Sequence, residues 1–141
     1  MKKFLMLGFT FLLLTGCEGN KLECEKAGNY LDGVYEVDSY EIKFSGDNIK
    51  HIEYEKDMDV TGYMLNNMEY LKQSYTYDFE KIKSKYTKLE TKIEQDEIDI
   101  KVSTDYNKLS ETEKKVFTDI NSKLNKKQLQ EDLESKGYIC E

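Results

Sequence analysis

Val34-Tyr35-Glu36-Val37-Asp38-Ser39-Tyr40-Glu41-Ile42-Lys43-Phe44, then Ser45-Gly46-Asp47-Asn48, then Ile49-Lys50-His51-Ile52-Glu53-Tyr54-Glu55-Lys56 form one continuous stretch whose reading decides the fold. The first part mixes Val, Tyr and Ile with polar residues, and the middle is turn chemistry. The last part puts Ile52 and Tyr54 on one side of a strand and Glu53 and Glu55 on the other. The stretch predicts a β-hairpin with one apolar face. Its alternation slips near Asp38-Ser39, which predicts a bulge or a bend at that point.

Downstream the period becomes helical. Met64, Met68, Leu71, Tyr75, Phe79, Ile82 and Tyr86 recur at three- and four-residue steps, with Thr61 as N-cap and Val60 and Leu65 at the positions of a hydrophobic staple. Alternation returns in Lys88 to Ile93 and Ile98 to Ser103, joined through Gln95-Asp96-Glu97 as a second hairpin. Ser110 with Glu113 spells a capping box for a helix through Val116, Phe117, Ile120 and Leu124. Asn125 with Gln128 spells another, stapled by Leu124 against Leu129, for a helix carrying Leu133 and ended by Gly137. Each element has one apolar side to bury, so the economical layering is α+β. It consists of an antiparallel sheet built from two hairpins, with one long and two short helices on one face, in the order ββαββαα.

Upstream, Lys2 and Lys3 precede an apolar or small-residue run from Phe4 to Leu14, and Thr15-Gly16 sets small side chains before Cys17. The run is too short for the ~20 apolar residues that cross a bilayer, and it has the layout of an export signal. Leu14-Thr15-Gly16-Cys17 resembles the lipobox of bacterial lipoproteins. That resemblance implies acylation of Cys17 and cleavage in front of it, leaving two or three acyl chains for stable anchoring. The expected organisation is a signal peptide at 1–16, a lipidated tether at 17–23 and a single domain at 24–141.

Removing Lys2 and Lys3 leaves 19 lysines against 28 acids, a formal charge of −9, which disfavours nucleic acid as a partner. Every basic residue is lysine, so the bidentate arginine fork is absent. The richness in Lys, Asn, Ile, Tyr and Glu is the usage of an AT-rich bacterial genome, and a Gram-positive cell surface is the expected setting. With Cys17 consumed by lipid, Cys24 and Cys140 remain as a pair in an oxidising compartment and should be bridged.

The lipobox, the cysteine soon after it, the tyrosine-rich β-α-β body and the terminal Leu133-Glu134-Ser135-Lys136-Gly137-Tyr138-Ile139-Cys140 together resemble the YehR-like lipoproteins, small bacterial lipoproteins of unassigned function. The resemblance implies an α+β domain in the cell envelope and supplies no active site.

Few residues suggest chemistry. His51 is the single histidine, of opposite parity to Ile52 and Tyr54 and so facing solvent, and no motif places a Ser or Cys beside it. Asp57-Met58-Asp59-Val60-Thr61-Gly62 imitates the start of an EF-hand loop, but position twelve is Met68 where a bidentate Glu is required. It reads instead as an acidic strand-to-helix connection with its carboxylates at a helix N-terminus. Lys81, Lys85, Lys88 and Lys92 would form a basic ridge on a helix reaching that far, either a solvated face or a contact for anionic headgroups. Tyr63, Tyr70 and Tyr77 recur every seven residues, as a rim of the core or as a binding surface. No metal or cofactor is expected. The expected function is a non-enzymatic, membrane-anchored module binding an envelope protein or peptide. A small-molecule or ion carrier comes second and an envelope enzyme third.

Overall fold

In this computed structural model the described residues are 20–28 and 33–141, so the leader and Cys17 lie outside them. The described residues form one six-stranded antiparallel sheet, in the order β4-β5-β3-β2-β1-β6, with the helices packed on one side. The strands are β1 (Lys21–Ala27), β2 (Val34–Ser45), β3 (Asn48–Val60), β4 (Thr87–Glu94), β5 (Glu97–Thr104) and β6 (Ile139–Cys140). The helices are α1 (Met68–Ile82), α2 (Glu111–Lys114) and α3 (Lys126–Ser135).

The expected hairpin is the centre of the sheet. β2 and β3 are joined by Gly46-Asp47, with a positive φ of 61° at Gly46 and none at Asp47. That is the signature of a type II′ turn, whose twist matches that of the flanking strands. No bulge occurs at Asp38-Ser39, where pairing with Lys56 and Glu55 runs unbroken; the register shifts between Lys43 and Phe44 instead. The slip at Asp38 has another origin. Glu36 and Asp38 share the inward face with Val34, Tyr40 and Ile42, and Lys56 meets them there.

β1 corrects the expected tether. Lys21, Leu22 and Glu23 pair with Lys43, Ile42 and Glu41 as the start of a strand, and Leu22 and Cys24 point into the core. Its far edge takes β6. Glu23 and Glu141 exchange both backbone hydrogen bonds, at 3.1 and 2.8 Å. The next pair, Cys24 and Cys140, is therefore a non-hydrogen-bonded one, the position where antiparallel Cα atoms come closest. Their Cα atoms are 4.1 Å apart and the sulfurs are bonded. The second hairpin forms with a two-residue turn at Gln95-Asp96.

The helices are shorter than the periodicity suggested. Gly62–Asn67 winds as 3-10 helix before α1 proper, Leu65 is exposed, and so the staple with the buried Val60 does not form. α1 ends at Ile82, which puts Lys88 and Lys92 in β4 and dissolves the basic ridge. α2 keeps its capping box but continues as tight turns, with Val116 and Phe117 donating three residues back. These turns seat Phe117 and Ile120 in the core. α3 has the expected Asn125–Gln128 box and ends at Gly137, whose φ of 95° suits only glycine without strain.

α1 packs over β4 and β5, and α3 over β1 and β6. The two helices thus cover the flanks of the inner face. A chain of tilted and edge-on rings, Tyr40–Tyr54–Phe79–Phe117–Tyr106, runs through the core with centroids 4.9 to 5.8 Å apart. Among the described residues no helix is long and apolar enough to cross a membrane.

Candidate functional site

Because the helices sit over the sheet's flanks, the inner face of β2 and β3 is left partly open between α1 and the segment Val116–Asp119. A cleft of about 250 Å³ lies there. Tyr40, Tyr54, Tyr75 and Phe79 give it aromatic walls, Ile100 and Val116 aliphatic ones, and Asp38, Asp78, Asp119 and Lys56 bring charge. Lys56 is only 7% exposed. Its Nζ lies 2.9 Å from Glu36 Oε2 and 3.0 Å from Asp38 Oδ1, and 4.7 Å from the centroid of the Tyr75 ring.

Three phenols complete the network. Tyr54 donates to Asp38 at 2.6 Å, Tyr138 to Asp119 at 2.7 Å, and Tyr75 to Glu36. Burial, reinforced by these carboxylates, pushes Tyr54, Tyr75 and Tyr138 well above the ordinary phenol range, so all three stay protonated and donate. Burial alone would raise Glu36. The hydrogen bonds from Tyr75 and Lys56, with the lysine's charge, outweigh it and hold the carboxyl below its ordinary value.

None of these residues was read from the sequence as part of a site. The available signal was the slipped alternation at Glu36 and Asp38 and the parity of Lys56 with Tyr54 and Met58. Partners twenty residues apart are legible only once the register is known.

Tyr63, Tyr70 and Tyr77 are 65, 70 and 64% exposed, so they form no rim to the core. Tyr70 and Tyr77, seven residues apart on α1, share nearly one meridian of the helix. Tyr63 lies in the 3-10 segment, whose tighter winding rotates it by roughly 80° from that line. Lys81 Nζ sits 3.9 Å from the centroid of Tyr77 and pairs with Asp78 at 3.0 Å.

His51 has partners that the sequence did not reveal. It stands across β3 and β5, with Asp105 Oδ1 3.0 Å from Nδ1 and Ser103 Oγ 3.2 Å from Nε2. A carboxylate only accepts, so Nδ1 carries the proton and, in the neutral ring, Ser103 donates to Nε2. This is the connectivity of a nucleophile, base and orienting acid. Two features of the surroundings differ from that arrangement in hydrolases. Ser103 is the second-last residue of β5, paired with Glu53 of β3 on one side and Lys88 of β4 on the other, so its backbone N–H is committed to the sheet and supplies no oxyanion donor. Glu53 lies 3.8 Å from the same ring and adds negative charge where an oxyanion would develop.

The acidic stretch Asp57 to Gly62 is not a strand-to-helix loop. Asp57 and Asp59 lie in β3 on the outer face, opposite Asp99 and Glu97. Among the described residues no three His, Cys, Asp or Glu side chains converge as metal ligands would. A broader depression of about 400 Å³ on the outer face is lined largely by Glu23, Glu25, Ser39, Glu41, Glu53 and Glu55.

No model of a known family matches the chain, and no curated protein matches it. Among solved structures it is similar to the NMR structure of a protein from Streptococcus pneumoniae TIGR4, with 14% identity and a TM-score of 0.51. The likeness covers 92% of this chain and 90% of that one, and at such low identity it shows the fold alone.

Proposed function

We propose that this chain is a lipid-anchored protein of the cell envelope, akin to the YehR-like lipoproteins, whose domain is a non-enzymatic binding module for a protein or peptide. The anchor rests on the Leu14-Thr15-Gly16-Cys17 motif after a basic and apolar leader. The binding role rests on one observation: Tyr70 and Tyr77 stand mostly exposed along one line of α1, while the opposite side of that helix is buried. Rigid aromatics with a hydrogen-bonding tip dominate binding surfaces, because they bring large contact area at low entropy cost.

The test is a Tyr70→Ala, Tyr77→Ala double variant compared with the parent protein in cross-linking on intact cells. A partner joined to the parent and lost in the variant, with thermal stability within about 1 kcal/mol of the parent, is the expected result. An unchanged set of cross-linked partners would sink the docking face. Intact mass decides the anchor separately: Cys17 should carry diacylglycerol at the new N-terminus, and an unmodified secreted form would refute it.

A further inference from the structure

We propose that the cleft over β2 and β3 is a binding site for an alkylammonium group, carried either by a free small amine or by a lysine side chain. This goes beyond the docking face on α1 and stands or falls without it. The charge around the cleft sets the sign of the ligand. Three of its lining residues, Asp38, Asp78 and Asp119, are acids, and Lys56 is the one base among them. Lys56 is already shared between Asp38 and Glu36, so one ammonium serves two carboxylates. Asp119 takes the Tyr138 hydroxyl and, among the described residues, makes no ion pair; Lys136 reaches only its backbone carbonyl, at 2.9 Å. Asp78 already pairs with Lys81 at 3.0 Å, so Asp119 is the lining carboxylate left without a cation among the described residues; an anionic ligand would meet repulsion there, and a neutral one would leave that carboxylate unpaired.

The walls set the rest. Aromatic and aliphatic side chains back an opening of about 250 Å³ whose exposed surface is more polar than apolar, with room for a short alkyl chain whose ammonium turns to the carboxylates. The fold itself shows that this combination holds an ammonium. Lys56 rests over the Tyr75 ring with carboxylates at 2.9 and 3.0 Å, a ring face and acids acting together on one cation. On the other side of the cleft the same kinds of group recur around Asp119, where Tyr40 and Tyr138 pack with ring centroids 5.7 Å apart. The protonated phenols point their hydrogens at the carboxylates and keep them oriented as acceptors.

The experiment titrates the full-length chain in detergent with n-butylammonium chloride at constant ionic strength and, in a second arm, with a Gly-Lys-Gly peptide. Methyl NMR is followed at Ile100 and Val116. Saturable shifts at those methyls are expected with at least one probe. Butylammonium responding identifies a free amine as sufficient; the peptide alone responding identifies a lysine side chain as the source. Asp119→Asn should weaken the binding by roughly tenfold, the loss of one charge-assisted hydrogen bond, whereas Glu97→Gln, the same charge change on the outer face, should leave it unchanged. The shifts in the parent protein need no variant, so a poorly folding Asp119→Asn still leaves the proposal open to refutation. No saturable shift with either probe overturns it. So does equal weakening by Asp119→Asn and Glu97→Gln, which would reduce the effect to net charge.

Discussion

Lys56→Met is the perturbation that most directly probes the polar network beneath α1. Methionine keeps an unbranched stem and removes only the ammonium, leaving Glu36 and Asp38 facing each other without the cation they share. Removing one partner of a buried ion pair costs about 3–5 kcal/mol. Here the carboxylates keep their hydrogen bonds from Tyr75 and Tyr54 and retain some contact with water, so a loss of roughly 2–3 kcal/mol is expected. At about 3–5 °C per kcal/mol for a domain of this size, the melting temperature should fall by about 10 °C. The pH dependence carries the sharper information. In the parent protein Glu36 is held below its ordinary value of 4.5, so its contribution is present above that pH and is lost as the pH falls through the depressed value. In the variant burial, Tyr75 and the facing Asp38 carboxylate act on it, without the lysine. Burial, the largest influence, then drives the carboxyl upward, and acid should stabilise the variant relative to neutral pH. The gap between the two proteins should therefore narrow from pH 7 to pH 4, in urea unfolding followed by tyrosine circular dichroism. A loss below about 1 kcal/mol at neutral pH, or a gap that widens in acid, would refute the reasoning.

Other outcomes follow from the same geometry. Asp57 is pushed up to about 6 by burial first and then by Asp99, Glu55, Asp59 and Glu25, so its ionised form destabilises the fold. This penalty is absent below the unfolded value, grows as pH rises through that window, and is complete above about 6. Asp57→Asn should thus stabilise the protein at pH 7 by no more than about 1 kcal/mol, since the side chain is only half-buried and water screens it, and should have no effect at pH 4. Calorimetry at the two values checks it, and a variant less stable at pH 7 would contradict it. Replacing Cys24 and Cys140 together by Ser opens a closure of 116 residues, worth about 4–5 kcal/mol in the chain-entropy account. Chemical unfolding should show a loss of at least about 2 kcal/mol; near-zero change would mean that the unbridged denatured chain stays compact. Ser103 should form no adduct with a fluorophosphonate, because no oxyanion hole accompanies its bond to His51. An adduct that disappears in His51→Ala would restore the enzyme reading.

The parts of this fold that were legible in sequence are those whose signal is local. The Ser110–Glu113 and Asn125–Gln128 boxes each need only four residues, and both form. Ile98, Ile100 and Val102 alternate cleanly, and all three are buried in β5. The Cys24–Cys140 bridge came from counting, because Cys17 was assigned elsewhere. What escaped detection depended on distant partners. β1 shows only Leu22 and Cys24 as apolar residues of one parity, since Lys26 follows, and Lys26 can take that place because its ammonium lies 5.5 Å from the Tyr138 ring centroid. The apolar stripe of α1 kept a helical period through Tyr86, yet the chain leaves the helix after Ile82, and Ser84 and Thr87 bridge to start β4. Periodicity marks which side of a segment is buried; it does not mark where tertiary pairing ends a helix.

The register of the sheet also fixes how the proposed anchor would orient the domain. Three residues separate Cys17 from Lys21, so an acylated Cys17 keeps the start of β1 within about 14 Å of the lipid. Lys21 pairs with Lys43, which in turn pairs with His51, and the β2–β3 turn lies just beyond. That end of the sheet, with Lys21, Lys43 and Lys50, would lie nearest the bilayer. At the other end, Asp57 and Asp59 face Asp99 and Glu97, so the strongest negative charge is held away from anionic headgroups. β3 ends there at Val60, and α1 then returns toward the lysine end, as its packing on β5 and β4 requires. Tyr63 and Tyr70 consequently stand in the half of the domain farther from the membrane, with Tyr77 following along the same helix. An anchor at the opposite end of β1 would have buried the aromatic face against lipid, so the docking reading and the anchoring reading require the same end of the sheet to face the membrane.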